Sequence, residues 1–287
     1  VTGEYTDEHW DFVEPTDTDM LLVPDPNTLR KVPWAREPTA QIIADCYKAS
    51  GEPHPLASRN VLKHIIKLYE EAGLRAEVAP EVEFFLVHKN TDPDYELMPP
   101  KGRSGRREVA RMSFSIDAVA EFEDFVEDMY DFADEQALSV DTLIHENGAA
   151  QLEINFNHGD PLDMAEQVFV FKRTVRETAQ RHNMYATFMA KPMQKEPGSA
   201  LHIHQSILSL ATGDNIFNSA DDQPTPELLH YIAGLPRYTP DLISFYAPNV
   251  NSYRRLAPDI SAPINLSWGY DNRTTAFRVP DSTPINR

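Results

Sequence analysis

The sequence predicts an α+β fold, because strand-period and helix-period segments share the chain without the regular spacing of a wound parallel sheet. Apolar residues make up 41% of 287, enough to fill a sizeable core in one large domain or about two average ones. Several short runs alternate apolar and polar side chains, the pattern of strands with one buried face.

The elements follow in order. Between Met20 and Tyr47, short apolar stretches are punctuated by Pro24, Pro26, Pro33 and Pro38, which predicts a small β unit. From Ser58, Val61, Leu62, Ile65, Ile66 and Tyr69 recur on one helical face, and Gly73 stops the helix. Val78 to Val87 reads as a strand, and Thr91 to Arg107 as an exposed loop with a solvated basic end. A helix then starts near Asp117, with Phe122, Phe125, Val126, Met129 and Phe132 as its apolar stripe. Its many carboxylates read as a wet outer face, since no opposing histidine gathers them. Gln151 to Phe156 is a strand, Met164 to His182 a helix, Met184 to Ala190 and Ala200 to Leu208 strands, and Pro224 to Tyr238 a helix. Repeats and low-complexity tracts are absent from the sequence.

Charge and composition exclude some partners. With 26 basic against 45 acidic residues the formal charge is −19, which repels nucleic acid and anionic membrane surfaces. No apolar run approaches the ~20 residues of a membrane span. The lone Cys46 cannot form an intrachain disulfide, and a cytoplasmic location is the expectation. The first residue is Val1 and no signal-like segment opens the chain, so both ends read as possibly cut.

Side chains two apart on a strand share a face. Glu81 and Glu83 therefore point together, opposite Val82 and Phe84. Gln151, Glu153 and Asn155 do the same opposite Leu152, Ile154 and Phe156, as do His202, His204 and Ser206 opposite Leu201, Ile203 and Ile207. Any one pair alone fits a solvent-facing edge. Together, with strongly apolar counterfaces, they point to a cation, because like charges so close raise one another's pKa. Oxygen donors with imidazole suit Mg²⁺ or Mn²⁺ better than Zn²⁺ or copper. Glu146, shortly before Glu153 across the Gly148 turn, could join the same ion or be an ordinary turn residue.

Arginines recur in the C-terminal third, within Asn251-Ser252-Tyr253-Arg254-Arg255 and Asn272 to Arg278. They read either as structural partners of the many acids or as clamps for a carboxylate or phosphate. Divalent ions with arginines are equipment for phosphoryl transfer, and the absence of a Walker-type loop excludes a P-loop enzyme.

Five blocks, Pro80 to Phe85, His145 through Glu153, Gly198 to His204, Asn251 to Arg255 and Asn272 to Arg278, resemble the glutamine synthetase superfamily in order and near-family spacing. The segments Phe169 to Arg173, Ala186 to Met193 and Ala247 to Ser252 look most like its γ-glutamylputrescine synthetases and related γ-glutamyl-polyamine ligases. The resemblance implies a curved antiparallel sheet with flanking helices over 53–287, and over 1–52 the C-terminal part of a β-grasp-like domain. It also implies two or more Mg²⁺ or Mn²⁺ ions, ATP and L-glutamate as substrates, a small amine acceptor and a dodecamer-like ring of identical subunits. Carried over by motif, Glu83, Glu146 and Glu153 would hold the ion nearer glutamate, and Glu81 and His202 the ion bridging the ATP phosphates. His204 and Ser206 fall at nucleotide contacts, and Gly198 and Arg255 at glutamate contacts. Arg273 and Arg278 would bind nucleotide and stabilise the transferring phosphoryl group.

Three departures shape the expectation. Six residues after Arg255, where ammonia-using members carry a glutamate, stands Ser261, which favours a larger amine. The sequence ends at Arg287, where the family continues into a strand with a further metal glutamate and a substrate arginine, and only about Thr18 to Tyr47 represents the β-grasp domain. The expected function is therefore a glutamate-amine ligase acting through a γ-glutamyl phosphate, with putrescine, another polyamine or a monoamine as acceptor. The alternatives are an ammonia-dependent glutamine synthetase and a non-catalytic relative. An acidic surface would also steer a polycation toward the site, although solubility explains that charge equally well.

Overall fold

The computed structural model describes residues 19–92, 94–109, 111–219, 223–258 and 262–280, so Ser261, Pro93 and Thr18 lie outside the described residues. The proline-punctuated segment forms short ladders as the sequence predicts. Strand β1 (Leu21–Pro24) pairs antiparallel with β4 (Ala44–Tyr47), and β2 (Arg30–Lys31) with β3 (Ala40–Gln41). Helix α1 (Ser58–Glu71) follows and ends before Gly73, whose φ of +76° is readily adopted without a Cβ. Arg59 on α1 joins the small ladders to the main body. Its guanidinium lies 2.6 Å from Asp25, 2.5 Å from Asp45 and 2.7 Å from Glu166 of α4 (Pro161–Arg181).

The main body is an antiparallel sheet built on β5 (Leu74–His88), longer than the sequence predicts. One edge of β5 pairs with β7 (Gln151–Phe156), which in turn pairs with β6 (Val140–His145). The other edge pairs first with β9 (Leu201–Ser209) and then with β8 (Met184–Thr187). Because β8 and β9 meet β5 end to end, the connection between them must leave the sheet beside Glu83, where Glu83 N–H donates to Ala200 O at 3.2 Å.

One face of this sheet is the core. Val82, Phe84, Leu86, Leu152, Ile154 and Phe156 pack against Phe125 and Met129 of α3 (Glu123–Glu135) and Val170, Phe171 and Val175 of α4. The alternation predicts these counterfaces on β5 and β7, whereas on β9 only Ile207 is buried and Leu201 and Ile203 are exposed, since among the described residues no helix of the core reaches that end of the strand. Helix α4 is capped by Asp160, whose carboxylate accepts Leu162 N–H at 2.9 Å, with Pro161 opening the first turn.

Several elements differ from expectation. The helix predicted near Asp117 is two, α2 (Ile116–Ala120) and α3, because the chain turns at Phe122 (φ −120°, ψ 26°) to bury that ring. On α1 the apolar residues do not share one buried face: Leu62, Ile66 and Tyr69 are half-buried, whereas Val61 and Ile65 are exposed. Strand β8 stops at Thr187 rather than Ala190. Helix α5 (Pro226–Tyr246) continues through Pro236 and Pro240, where the Thr239 hydroxyl donates to Leu235 O at 2.7 Å. Strand β6, helix α6 (Val250–Arg255) and the parallel pair β10 (Trp268–Tyr270) and β11 (Phe277–Val279) are additional. Cys46 is a free, half-buried thiol.

Candidate active site

The sheet face opposite the core carries the polar side chains, and register decides which of them meet. Glu81 lies opposite Asn155 on β7 and His202 on β9, while Glu83 lies opposite Glu153. Directly opposed residues have Cβ atoms ~4.5–5.5 Å apart, so these side chains share one small area. Donor atoms of Glu81, Glu153 and His202 fall within 4.8 Å of one another. His204 Nε2 is 2.7 Å from Glu81 Oε1, and His202 Nδ1 is 3.3 Å from Glu81 Oε2. The two imidazoles hold the Glu81 carboxyl well below the usual carboxylate range.

Glu153 has the opposite environment. Burial, then the charges of Glu81, Glu83 and Glu146, push its carboxyl up to about 8, while Arg273 pulls it down. Burial also raises Glu83, the Glu146 charge adding to it and the Ala200 N–H opposing. Glu83 is nevertheless firmly placed: Gln151 Nε2 donates to Oε2 at 3.0 Å and Ala200 N–H at 2.9 Å. Gln151 donates as well to Gly198 O at 3.1 Å, linking the carboxylate to the connection between β8 and β9.

Glu146 sits on the turn between β6 and β7. The buried His145 before it donates from Nδ1 to Glu146 O at 2.8 Å and lies 3.0 Å through Nε2 from Glu108. Burial opposes a charge on that imidazole, yet Glu108 and the Glu146 carbonyl raise its pKa overall. Glu108 further accepts Ala150 N–H at 2.8 Å, so it braces both ends of the turn.

Arg255, at the end of α6, packs over Gly198. A Cβ on Gly198 would come within 2.5 Å of Ala190 O and within 2.6 and 2.7 Å of the Arg255 Cγ and Cδ. Asn251 fixes α6 against the same loop, accepting Lys191 N–H at 2.7 Å and donating to Lys191 O at 2.9 Å. Burial lowers the pKa of Arg255 and the nearby Glu83 carboxylate opposes that shift.

The structure thus gathers Glu81, Glu83, Glu146, Glu153, His202 and His204, and places Gly198 against Arg255 beside Glu83. Ser206 lies farther along β9, opposite Glu77. Arg273 is exposed on the turn between β10 and β11, within electrostatic reach of Glu153. Arg278 lies on β11 opposite Gly269, and among the described residues no ion pair joins it to these carboxylates. The group of Glu81, Glu153 and His202 draws on both ion sites that the resemblance implies, because Glu153 sits diagonally across from Glu81. Carboxylate oxygens with one imidazole form a hard donor set fitted to Mg²⁺ or Mn²⁺, and the mutual repulsion at Glu153 is what a bound cation relieves. Glu108, Gln151 and Asn251 brace the site but are not among the site residues chosen from the sequence. Gln151, on an alternating face, and Asn251, at the head of the Asn251 to Arg255 block, carried a local signal, and Glu108 carried none.

A family model described as "Glutamine synthetase, catalytic domain" matches residues 55–287. A glutamine synthetase of Pyrococcus abyssi is 34% identical over 264 residues, covering 92% of this chain and 56% of the relative. The γ-glutamylputrescine synthetase PuuA of Escherichia coli is 35% identical over 253 residues, covering 86% of this chain and 53% of the relative. The solved structure of apo GmaS without ligand superposes with a TM-score of 0.79 at 27% identity, covering 94% of this chain and 61% of that one. The chain spans about half the length of the curated relatives it matches.

Proposed function

The chain belongs to the glutamine synthetase family, and on that premise we propose that it acts as an ATP-dependent ligase joining the γ-carboxylate of L-glutamate to an organic amine. The observation that carries this reading is the polar sheet face, with Glu81, Glu153 and His202 within 4.8 Å of one another and Arg255 packed on Gly198 beside Glu83. A carboxylate oxygen of glutamate attacks the terminal phosphorus of ATP, and the bond to ADP breaks. The amine nitrogen then attacks the acyl carbon of the γ-glutamyl phosphate, phosphate leaves, and the nitrogen loses a proton.

The side chains divide this work. Arg255 pairs with a glutamate carboxylate in a desolvated setting, and the loop at Gly198 lies close enough to shape the substrate's berth. Glu81 and His202 would hold one divalent ion and Glu83, Glu146 and Glu153 another, and Glu153, within 4.8 Å of the Glu81 and His202 donor atoms, would serve the first ion as well. When bound, Mg²⁺ or Mn²⁺ neutralises phosphate charge and polarises the reacting oxygens. Arg273 and Arg278 stabilise charge on the moving phosphoryl group, so losing either lowers kcat more than it raises KM. His204 and Ser206 contact the nucleotide.

Ser261, in place of the family's flap glutamate, supports an acceptor larger than ammonia, and the similarity to a γ-glutamylputrescine synthetase supports an amine of that kind. A ring of identical subunits in the cytoplasm completes the reading. Among the described residues, no helix is long and apolar enough to cross a membrane. Similarity to a relative named glutamine synthetase keeps ammonium as the second acceptor to test. Steady-state phosphate release by the natural full-length protein with ATP, Mg²⁺ and glutamate, comparing putrescine, spermidine, a monoamine and ammonium, decides between them. Preference for an organic amine is expected. Preference for ammonium would overturn the acceptor, and silence with all four would overturn the ligase reading.

A further inference from the structure

Asn155 stands among the charged groups of the sheet face, and neither the family resemblance nor the pattern of charges gives it a task. Register puts it directly opposite Glu81, and it follows Glu153 by two residues on the same face of β7. It therefore adjoins two of the three side chains whose donor atoms gather within 4.8 Å. Its Oδ1 is sealed from solvent and meets no hydrogen-bond donor.

An orphaned acceptor of this kind forfeits the hydration it had in the unfolded chain unless something supplies positive charge or a proton donor. Protein donors are not at hand. Each imidazole turns one nitrogen to Glu81, His204 toward Oε1 and His202 toward Oε2, and no hydrogen bond from these rings or from Glu153 reaches Asn155 Oδ1. Gln41, Glu108, Gln136 and Ser199 also carry a buried atom without a partner, but among the described residues Asn155 alone bears one from a strand of this face. A hard divalent ion needs more oxygens than two carboxylates and one imidazole supply. A carboxamide oxygen is a suitable neutral donor, adding a ligand without adding to the like-charge repulsion.

We propose that Asn155 Oδ1 is a ligand of the divalent ion gathered by Glu81, Glu153 and His202, completing its shell as a neutral oxygen. The inference rests on the metal reading above and extends it to a residue that the charged motif does not include. It assigns the strand alternation Gln151, Glu153, Asn155 a division of labour: the first places Glu83, and the second and third hold the ion.

Mn²⁺ binding, followed by the loss of the free-ion signal in electron paramagnetic resonance, tests this without turnover. The 287-residue chain is compared with Asn155→Leu, which keeps the shape and removes the oxygen, and Asn155→Asp, which keeps the oxygen and adds charge. Asn155→Leu is expected to weaken one Mn²⁺ site about tenfold, the scale of losses at groups supporting a metal. Asn155→Asp is expected to tighten the same site several-fold. If the leucine variant fails to fold, the aspartate variant decides alone: tighter binding supports the proposal, and unchanged or weaker binding overturns it. Unchanged affinity in both variants would overturn the role of Asn155 and leave the metal reading standing. Failure of the parent chain to bind Mn²⁺ would overturn both.

Discussion

Replacing Gly198 by alanine probes whether the loop and Arg255 form one substrate berth. The new Cβ would stand 2.5 Å from Ala190 O, a backbone atom, and 2.6 and 2.7 Å from two carbons of Arg255. Real Cβ atoms essentially never come within 3.0 Å, so something must move by at least about 0.5 Å. Ala190 O is held by Ser199 N–H at 2.9 Å, and the next residue is fixed by Asn251 through both of its backbone groups. The Arg255 side chain can give, but the contact with Ala190 O is relieved only if the loop backbone at Gly198 shifts too, so both walls of the berth are displaced. Overpacking of this kind costs about 1–3 kcal/mol, which for a chain of this size lowers Tm by roughly 2–10 °C. Misplacing a substrate clamp by about 1 Å costs on the order of 100-fold in rate, so kcat/KM for glutamate should fall between tenfold and that figure. Mn²⁺ affinity should fall far less, because Glu81, Glu153 and His202 stand on the strands. Initial rates at varied glutamate, with thermal melts of the same samples, give the answer. Unchanged kinetics in a folded Gly198→Ala protein would refute the shared berth.

Other expectations concern the ladders and the charged face. Arg59→Ala removes the cation shared by Asp25, Asp45 and Glu166, leaving Asp45 only Lys63 at 2.7 Å, and should lower unfolding stability by about 3 kcal/mol in urea titrations. Hydrogen bonding from Arg59 lowers the pKa of Asp25, and contacts with Lys63 and Arg59 outweigh burial to lower that of Asp45. Their contribution is therefore complete above the ordinary value of 3.8 and is lost as pH falls through the lower folded values, which urea midpoints across acidic pH should show and Arg59→Ala should flatten. Glu153→Gln removes a carboxyl whose ionisation burial and the charges of Glu81, Glu83 and Glu146 oppose, pushing it up to about 8, so above the ordinary value of 4.5 the variant should melt higher in chelator yet bind Mn²⁺ more than about tenfold more weakly in the resonance titration.

The polar face was legible in the sequence because a strand's period is two. Glu81 with Glu83, Gln151 with Glu153, and His202 with His204 could be grouped before any pairing was known. The pairing itself could not, and that Glu153 faces Glu83 while His202 faces Glu81 is a matter of register between segments far apart in the chain. Glu108 left no local trace, since its partner His145 is 37 residues away. Gly198 is an ordinary glycine in sequence, and only the approach of Ala190 and Arg255 shows why a side chain is excluded there. The break at Phe122 escaped because an acid-rich helix reads the same on either side, and the decisive event is burial of one ring in a core assembled from other segments. Helix α5 outran its expected end because a threonine hydroxyl helps serve carbonyls freed by proline.

The strength of the apolar counterface has its own explanation in the charges in front of it. Strand β5 carries Glu81 and Glu83 on one side and Val82, Phe84 and Leu86 on the other, so the force that would part the strands and the force that holds them act on the same backbone. Phe84, Leu152 and Ile154 are fully buried directly behind the carboxylates. At about 1.5–3 kcal/mol for each such side chain, this packing can hold like charges together until a cation arrives. A weaker core would let Glu83 and Glu153 separate and dissolve the site. A neutral face would need no such core, and would bind no ion. Sheet stability and metal affinity are in this way opposed in Glu153 and allied in Phe84, and the Glu153→Gln variant separates them by raising one while lowering the other.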